Sequence, residues 1–184
     1  MSKYDTADEE KHITNLWADG GIGHYTRRED LYIRYFNGMS LFTTGTVVEI
    51  GPGTGEFAKL LLEQYDINQY IIIDLEKNIK DSKETLKEYN NIIYITSQEY
   101  EKVFDYDVDL VVSNCCLSET PANYREDLIE RLFQKCNHAF VFDGDGQNLQ
   151  FNVWLTGIFH SHFYHVLSTS TEYCKCIAIS GNNK

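Results

Sequence analysis

The stretch "VVEIGPGTGEFAKLLLEQYDINQYIIIDLEK", Val47 to Lys77, decides how the chain is read. A short β-branched run enters a loop that carries Gly51, Gly53 and Gly55. A segment with helical spacing follows, in which Phe57, Leu60 and Leu61 share one face. A second apolar run then ends on Asp74. Strand, glycine loop, helix and strand make the unit that grips a nucleotide-like ligand at the carboxyl ends of its strands.

The same alternation continues outward. Strand-like runs appear at Val47–Ile50, Tyr70–Ile73, Ile92–Ile95, Val108–Val112 and Ala139–Phe142. Helical patterns stand between them, with Leu128, Leu132 and Phe133 on one face of the last. Asn78 is placed to cap a helix running through Tyr89, and Pro121 suits the first turn of the next. Alternating strands and helices imply a parallel sheet with right-handed crossovers. Towards the C-terminus, "GQNLQFNVWLTGIFHSH" reads as a helix, and "FYHVLSTSTEYCKCIAIS" as two strand-like runs joined by a short turn. Without a helix between them, those two runs pair antiparallel. The expected fold is α/β: a Rossmann-like seven-stranded sheet, mostly parallel with an antiparallel C-terminal hairpin, and helices on both faces. Residues 1–45 read as an N-terminal helical cover segment, broken at "ADGGIGHY", and residues 46–184 as the main domain.

The glycine loop narrows the ligand. A dinucleotide fingerprint needs glycine at position 56, where Glu56 stands. A P-loop needs Gly-Lys-Ser/Thr, and the nearest lysine, Lys59, already lies in the helical stretch. Glu49 before the loop and Glu56 after it would repel a pyrophosphate, which favours helix N-termini and cations. The ligand therefore has no phosphate at this loop, and a positively charged group stands close by.

S-adenosylmethionine, with a nucleoside, an ammonium and a sulfonium, meets those conditions. Here the sequence resembles the class I S-adenosylmethionine-dependent methyltransferases. The residues that carry the resemblance are "VVEIGPGTGEFA", which matches the family's first motif, and "YIIIDL", whose acidic residue ends the second strand. The resemblance spans about residues 46 to 180. Together with "DLVVSNCCLSE", these stretches also look like a bacterial subgroup of sugar O-methyltransferases. The family implies that Gly51, Gly53 and Gly55 let the backbone approach the ribose and methionine portion of the cofactor. It implies that Glu49 holds the amino group, and that Asp74 accepts hydrogen bonds from both ribose hydroxyls. Leu75 would lie against adenine, Gln98 would bond the adenine amine, and Asn114 would lie beneath the methionine near the transferred methyl. Two departures stand out. Ser97-Gln98 occupies the place after the third strand where the family often has aspartate. The "NPPY"-type sequence of many nucleic-acid methylating enzymes is replaced by "NCCL".

The totals agree with a small-molecule acceptor. The chain has 184 residues, enough for one domain with a real core, and a formal net charge of -12. Most of such a surface repels a phosphate backbone or an anionic membrane. The start "MSKYDTADEEKH" is polar and acidic, unlike a secretory signal, and no apolar stretch is long enough to span a bilayer. The five cysteines, Cys115, Cys116, Cys136, Cys174 and Cys176, match neither a zinc site nor a disulfide framework and read as free thiols in a reducing, cytoplasmic setting.

An alcohol acceptor needs a base near the strand ends. The candidates are His24, in "GGIGHYT", Glu119, in "SNCCLSET", His160 and His162; His24 and Glu119 lead, with Tyr25 as an aromatic wall of the cofactor site. His160 and His162, one residue apart, would not share a helix face as a metal pair. "DGDGQN", Asp143 to Asn148, lacks the spacing of a calcium loop and reads as the turn at the end of the fifth strand, where Asp143 and Asp145 would bind acceptor hydroxyls; magnesium there is the lesser alternative, and no metal is expected. The expected function is methylation of a hydroxyl on a small polar acceptor such as a sugar or nucleotide sugar. The alternatives are a catalytically inactive binding module of the same fold and a nicotinamide oxidoreductase, which Glu56 and the hairpin ending oppose.

Overall fold

β1 (Thr46–Ile50), β2 (Gln69–Asp74), β3 (Ile92–Thr96), β4 (Leu110–Asn114) and β5 (His138–Asp143) are short runs rich in Val and Ile. The computed structural model describes residues 44–114, 116–117, 120–133, 135–143, 163–170 and 175–182. The chain divides into two units, residues 1–38 and 39–184, and only the second holds described residues. The five strands pair in parallel in the order β3-β2-β1-β4-β5. Parallel strands covered on both faces read as continuous apolar runs, as Ile71, Ile72 and Ile73 of β2 do. Two further segments, β6 (Phe163–Ser170) and β7 (Lys175–Asn182), are extended.

Helix α1 (Glu56–Gln64) buries Phe57, Ala58 and Leu61, and helix α2 (Glu76–Thr85) buries Ile79 and Ser82. A kinked 3-10 segment, Ser97–Asp105, links β3 to β4. Helix α3 (Ala122–Leu128) continues into a π-helical turn, Ile129–Phe133, and together they bury Leu128, Leu132 and Phe133 as their spacing predicts. The 3-10 segment and α3 are clipped together. The Tyr100 hydroxyl donates to Asp127 Oδ2 at 2.6 Å, and the Tyr100 and Tyr124 rings meet edge to face at 4.5 Å.

Two sequence expectations are corrected. The fourth strand begins at Leu110 and ends at Asn114, two residues later than its apolar run. Asp109 explains the shift. Its carboxylate accepts the Thr46 N–H at 2.8 Å and the Asn137 amide at 3.1 Å, tying the starts of three strands together ahead of the ladder. A Cβ on Gly45 would stand 1.7 Å from that carboxylate, so only glycine leaves room for it. The second helix starts at Glu76 with Leu75 at its N-cap and ends at Thr85. Asn78 is therefore inside the helix and does not cap it. Its side chain reaches back to Asp74 instead.

Candidate active site

β1 lies between β2 and β4, so the chain leaves β1 in one direction and later returns to its other side. Open α/β sheets bind ligands in the crevice outside the strand ends at such a reversal. Register places the side chains there. Glu49 pairs with Ile72 on one side and Val112 on the other, so these three share a face. Tyr70, Asp74 and Asn114, each two residues along its strand from one of them, share it too. Asp74 and Asn114 are the last residues of β2 and β4. Phe57 of α1 stacks on Phe140 at 6.4 Å, which places α1 over this same face because Phe140 pairs with Val112.

The glycine loop is left-handed at three positions. Gly51, Gly53 and Gly55 have φ of 68, 60 and 83°. Gly51 also needs its missing side chain for room: a Cβ there would meet Cys116 Sγ at 2.2 Å. Gly51 N–H donates to the Ile73 carbonyl at 2.8 Å, which extends the β1–β2 ladder by one bond into the loop.

Asp74 is buried and holds the loop. Oδ2 accepts the Gly53 N–H at 2.9 Å. Oδ1 accepts the Leu75 N–H at 2.7 Å and the Asn78 side-chain amide at 2.9 Å. Burial pushes its carboxyl up from the ordinary value, against the pull of these three bonds. A carboxylate offers about four lone-pair sites, so among the described residues one acceptor position remains, on Oδ2.

Glu49 is fully buried. Its Oε2 accepts the Tyr70 hydroxyl at 2.7 Å. Oε1 has no hydrogen-bond partner among the described residues. Burial, and then the nearby Asp74 carboxylate, push its carboxyl from 4.5 to about 8 against the bond from Tyr70. Both polar atoms of the Asn114 amide are likewise buried and unpartnered among the described residues. Buried polar groups left without partners in a native site point to a ligand or water that supplies them.

Glu49, Gly51, Gly53, Gly55, Asp74 and Asn114 thus come together at adjacent strand ends. Half-buried Leu75 follows Asp74, and exposed Gln98 is the second residue of the segment after β3. His24, Tyr25 and Glu119 lie outside the described residues, as do His160, His162 and Asp145. Among the described residues no group of three or more His, Cys, Asp or Glu is placed to hold a metal ion. No helix among them is long and apolar enough to cross a membrane.

Three contributors escaped the sequence reading: Tyr70, Asn78 and Cys116. Tyr70 left a signal, as the one polar-tipped residue of an otherwise aliphatic run. Asn78 left another, four residues beyond Asp74 and so one helical turn away. Cys116 left none, since only the tertiary structure brings it against Gly51.

Among the described residues the site thus offers one open acceptor position on Asp74, one on Glu49, and a glycine backbone that admits close approach.

The model of the methyltransferase small domain matches residues 31–151. No curated protein sequence matches the chain. Among solved structures, a protein from Methanococcus maripaludis assigned as an S-adenosyl-L-methionine-dependent methyltransferase superposes with a TM-score of 0.67 at 14% identity, covering 100% of this chain and 98% of its own. The N-methyltransferase NodS from Bradyrhizobium japonicum, in complex with S-adenosyl-L-homocysteine, gives 0.64 at 13% identity, with 86% and 87% covered. The methyltransferase domain of a bacterial Hen1 gives 0.63 at 14% identity, with 83% and 97% covered. At such identities the structures establish a shared fold, and the family model establishes descent: the chain belongs to the methyltransferase small-domain family, and its cofactor is S-adenosyl-L-methionine.

Proposed function

We propose that the chain transfers the methyl group of S-adenosyl-L-methionine to a hydroxyl of a small polar acceptor, with a sugar or sugar-derived metabolite as the leading class. The observation that carries the acceptor class is the formal net charge of -12. Polyanions are repelled by such a chain, while neutral polyols are not. The segment after β4 supports the same reading: Asn114 is followed by two cysteines and Leu117, without the paired prolines of many nucleic-acid methylating enzymes.

Glu49 would receive the amino group of the cofactor, and Asp74 a ribose hydroxyl at its remaining Oδ2 position. Acceptance of both ribose hydroxyls would require Asn78 to release Oδ1. Leu75 and Gln98 would meet adenine, and Asn114 would face the reacting end. The cofactor supplies an activated methyl on a sulfonium. The protein's own contribution is alignment, where effective molarity is worth roughly 7–11 kcal/mol. His24 and Glu119 are the proposed bases for the acceptor proton, on residue chemistry alone. A seven-stranded sheet closed by the antiparallel β6–β7 pair belongs to the same reading, supported by the pairing of β7 with β5.

A second reading has a specific motive. One structure of similar fold is an RNA repair complex containing Hen1, matched at a TM-score of 0.63 and 11% identity, so RNA belongs in the assay. The test is incubation with methyl-labelled cofactor and separate panels of nucleotide sugars, glycans, small amines and RNA. Product is read by mass spectrometry. A methyl increment on a sugar hydroxyl is expected. Transfer only to RNA or to nitrogen overturns the acceptor class, and cofactor binding without any transfer favours the inactive binding module.

A further inference from the structure

Tyr70 is fully buried in β2 beside Ile71, Ile72 and Ile73, and it is the only member of that run with a polar tip. Phenylalanine would fill the same layer without carrying a hydroxyl out of water. Burying a phenol and a carboxyl is costly unless each satisfies the other. Here the hydroxyl is committed to one atom, Glu49 Oε2, at 2.7 Å. The other oxygen, Oε1, is left unpartnered among the described residues. One donor on one oxygen fixes the carboxyl plane and selects which oxygen stays available.

The groups around Glu49 can be named element by element. On β2 they are Tyr70 and Asp74. β4 contributes Val112 and the uncharged amide of Asn114 on this face. α1 packs here through Phe57 on Phe140, and α2 buries only Ile79 and Ser82. No lysine, arginine or histidine among the described residues acts on Glu49. Among the described residues the carboxyl has a donor and a neighbouring negative charge, and no cation.

We propose that Tyr70 is a positioning residue for cofactor capture, fixing the Glu49 carboxyl through Oε2 so that Oε1 is kept for the ammonium group of S-adenosylmethionine. This rests on the role given to Glu49 in the proposed function and adds the residue that enforces it. The unliganded carboxyl is protonated near neutral pH, because burial holds it at about 8. An arriving ammonium favours the carboxylate. The Glu49 O–H bond then breaks, its proton passes to solvent, and the ammonium keeps its own protons. Capture in weakly acidic solution therefore releases a proton.

Calorimetry with S-adenosylhomocysteine tests this, run near pH 6.5 in buffers of different ionisation enthalpy and repeated across pH. The ligand's own amine is still protonated at that pH. The parent protein is expected to release close to one proton, and Glu49→Gln none. Tyr70→Phe is expected to bind about tenfold more weakly, the worth of one hydrogen bond to a charged group. Its affinity should also level off at a higher pH than in the parent, because Glu49 has lost the bond that favours its ionised form. A purely structural role would lower the melting temperature and leave that midpoint in place. Parent-like affinity and midpoint in Tyr70→Phe overturn the proposal. Should Tyr70→Phe fail to fold, 3-fluorotyrosine at position 70 keeps the shape with a stronger donor. It should move the midpoint down, and an unmoved midpoint overturns the proposal as well. Asp74→Ala separates the two readings. If the parent binds and Asp74→Ala does not, the cofactor assignment stands whatever Tyr70→Phe shows. If the parent fails to bind, the proposed function falls with it.

Discussion

Gly53 donates its backbone N–H to Asp74 Oδ2 at 2.9 Å, so the carboxylate that ends β2 anchors the glycine loop that follows β1. Asp74 is therefore part of the loop's support before any ligand arrives. Replacing it with alanine should weaken S-adenosylmethionine binding by more than about tenfold, since hydrogen bonds to a charged group contribute ~1.5–3 kcal/mol each. Asp74→Asn should do nearly as badly. If its carbonyl keeps Leu75 and Asn78, its NH2 must face the Gly53 N–H, donor against donor. Titration calorimetry on both variants checks this, and an unchanged dissociation constant in either contradicts it.

Gly51→Ala should disrupt the loop through two separable costs. The left-handed backbone, at φ 68°, costs a non-glycine residue about 1–2 kcal/mol. The clash with Cys116 adds to it. Pairing Gly51→Ala with Cys116→Gly removes the clash and leaves the backbone cost. Urea denaturation of the single and double variants should show partial recovery in the double variant. Equal stability of the two would mean that the Cys116 contact is not decisive.

Glu49→Gln should stabilise the unliganded protein in a pH-dependent way. Burial raises the folded-state carboxyl from 4.5 to about 8. Below the lower value both folded and unfolded chains hold the proton, and the variant gains little. As pH rises through the interval, the unfolded chain ionises while the folded chain does not, so the parent loses stability relative to the variant. The gap should reach a few kcal/mol, at about 1.4 kcal/mol per pKa unit, and level off above the upper value. Denaturation curves at several pH values read it directly, and a gap that closes with rising pH would reverse the assignment.

Tyr100→Phe should cost stability and spare the cofactor. Its hydroxyl bond to Asp127 joins the 3-10 segment to α3, and Arg131 also reaches Asp127 at 3.4 Å. Loss of about 1–2 kcal/mol is expected. Asp127 and Arg131 belong to the cover between β3 and β5, and none of the strand-end residues takes part in this clip. Melting temperature and cofactor affinity, measured together, check both halves of the statement.

The acidic and glycine positions of the site were legible because each is dictated locally. Left-handed loop positions select glycine, and a strand that ends on aspartate declares it within one apolar run. Asn78 was misread for a reason of the same kind. A cap preference is a local rule, while the bond it makes depends on where β2 ends relative to α2. The fourth strand was misplaced because apolarity marked its start at Val108, whereas the Asp109 carboxylate, fixed by residues 63 positions earlier in sequence at Thr46, sets where pairing begins.

Sequence by itself determined the alternation of strands and helices, the glycine loop, the carboxylates flanking it and the family they indicate, because periodicity and backbone preference act over a few residues. Tertiary structure decided the strand order that sets β1 between β2 and β4, the bond between Tyr70 and Glu49, and the seat of Cys116 against Gly51. Those depend on which distant segments become neighbours, and on a dry interior in which one hydroxyl fixes the state of a carboxyl.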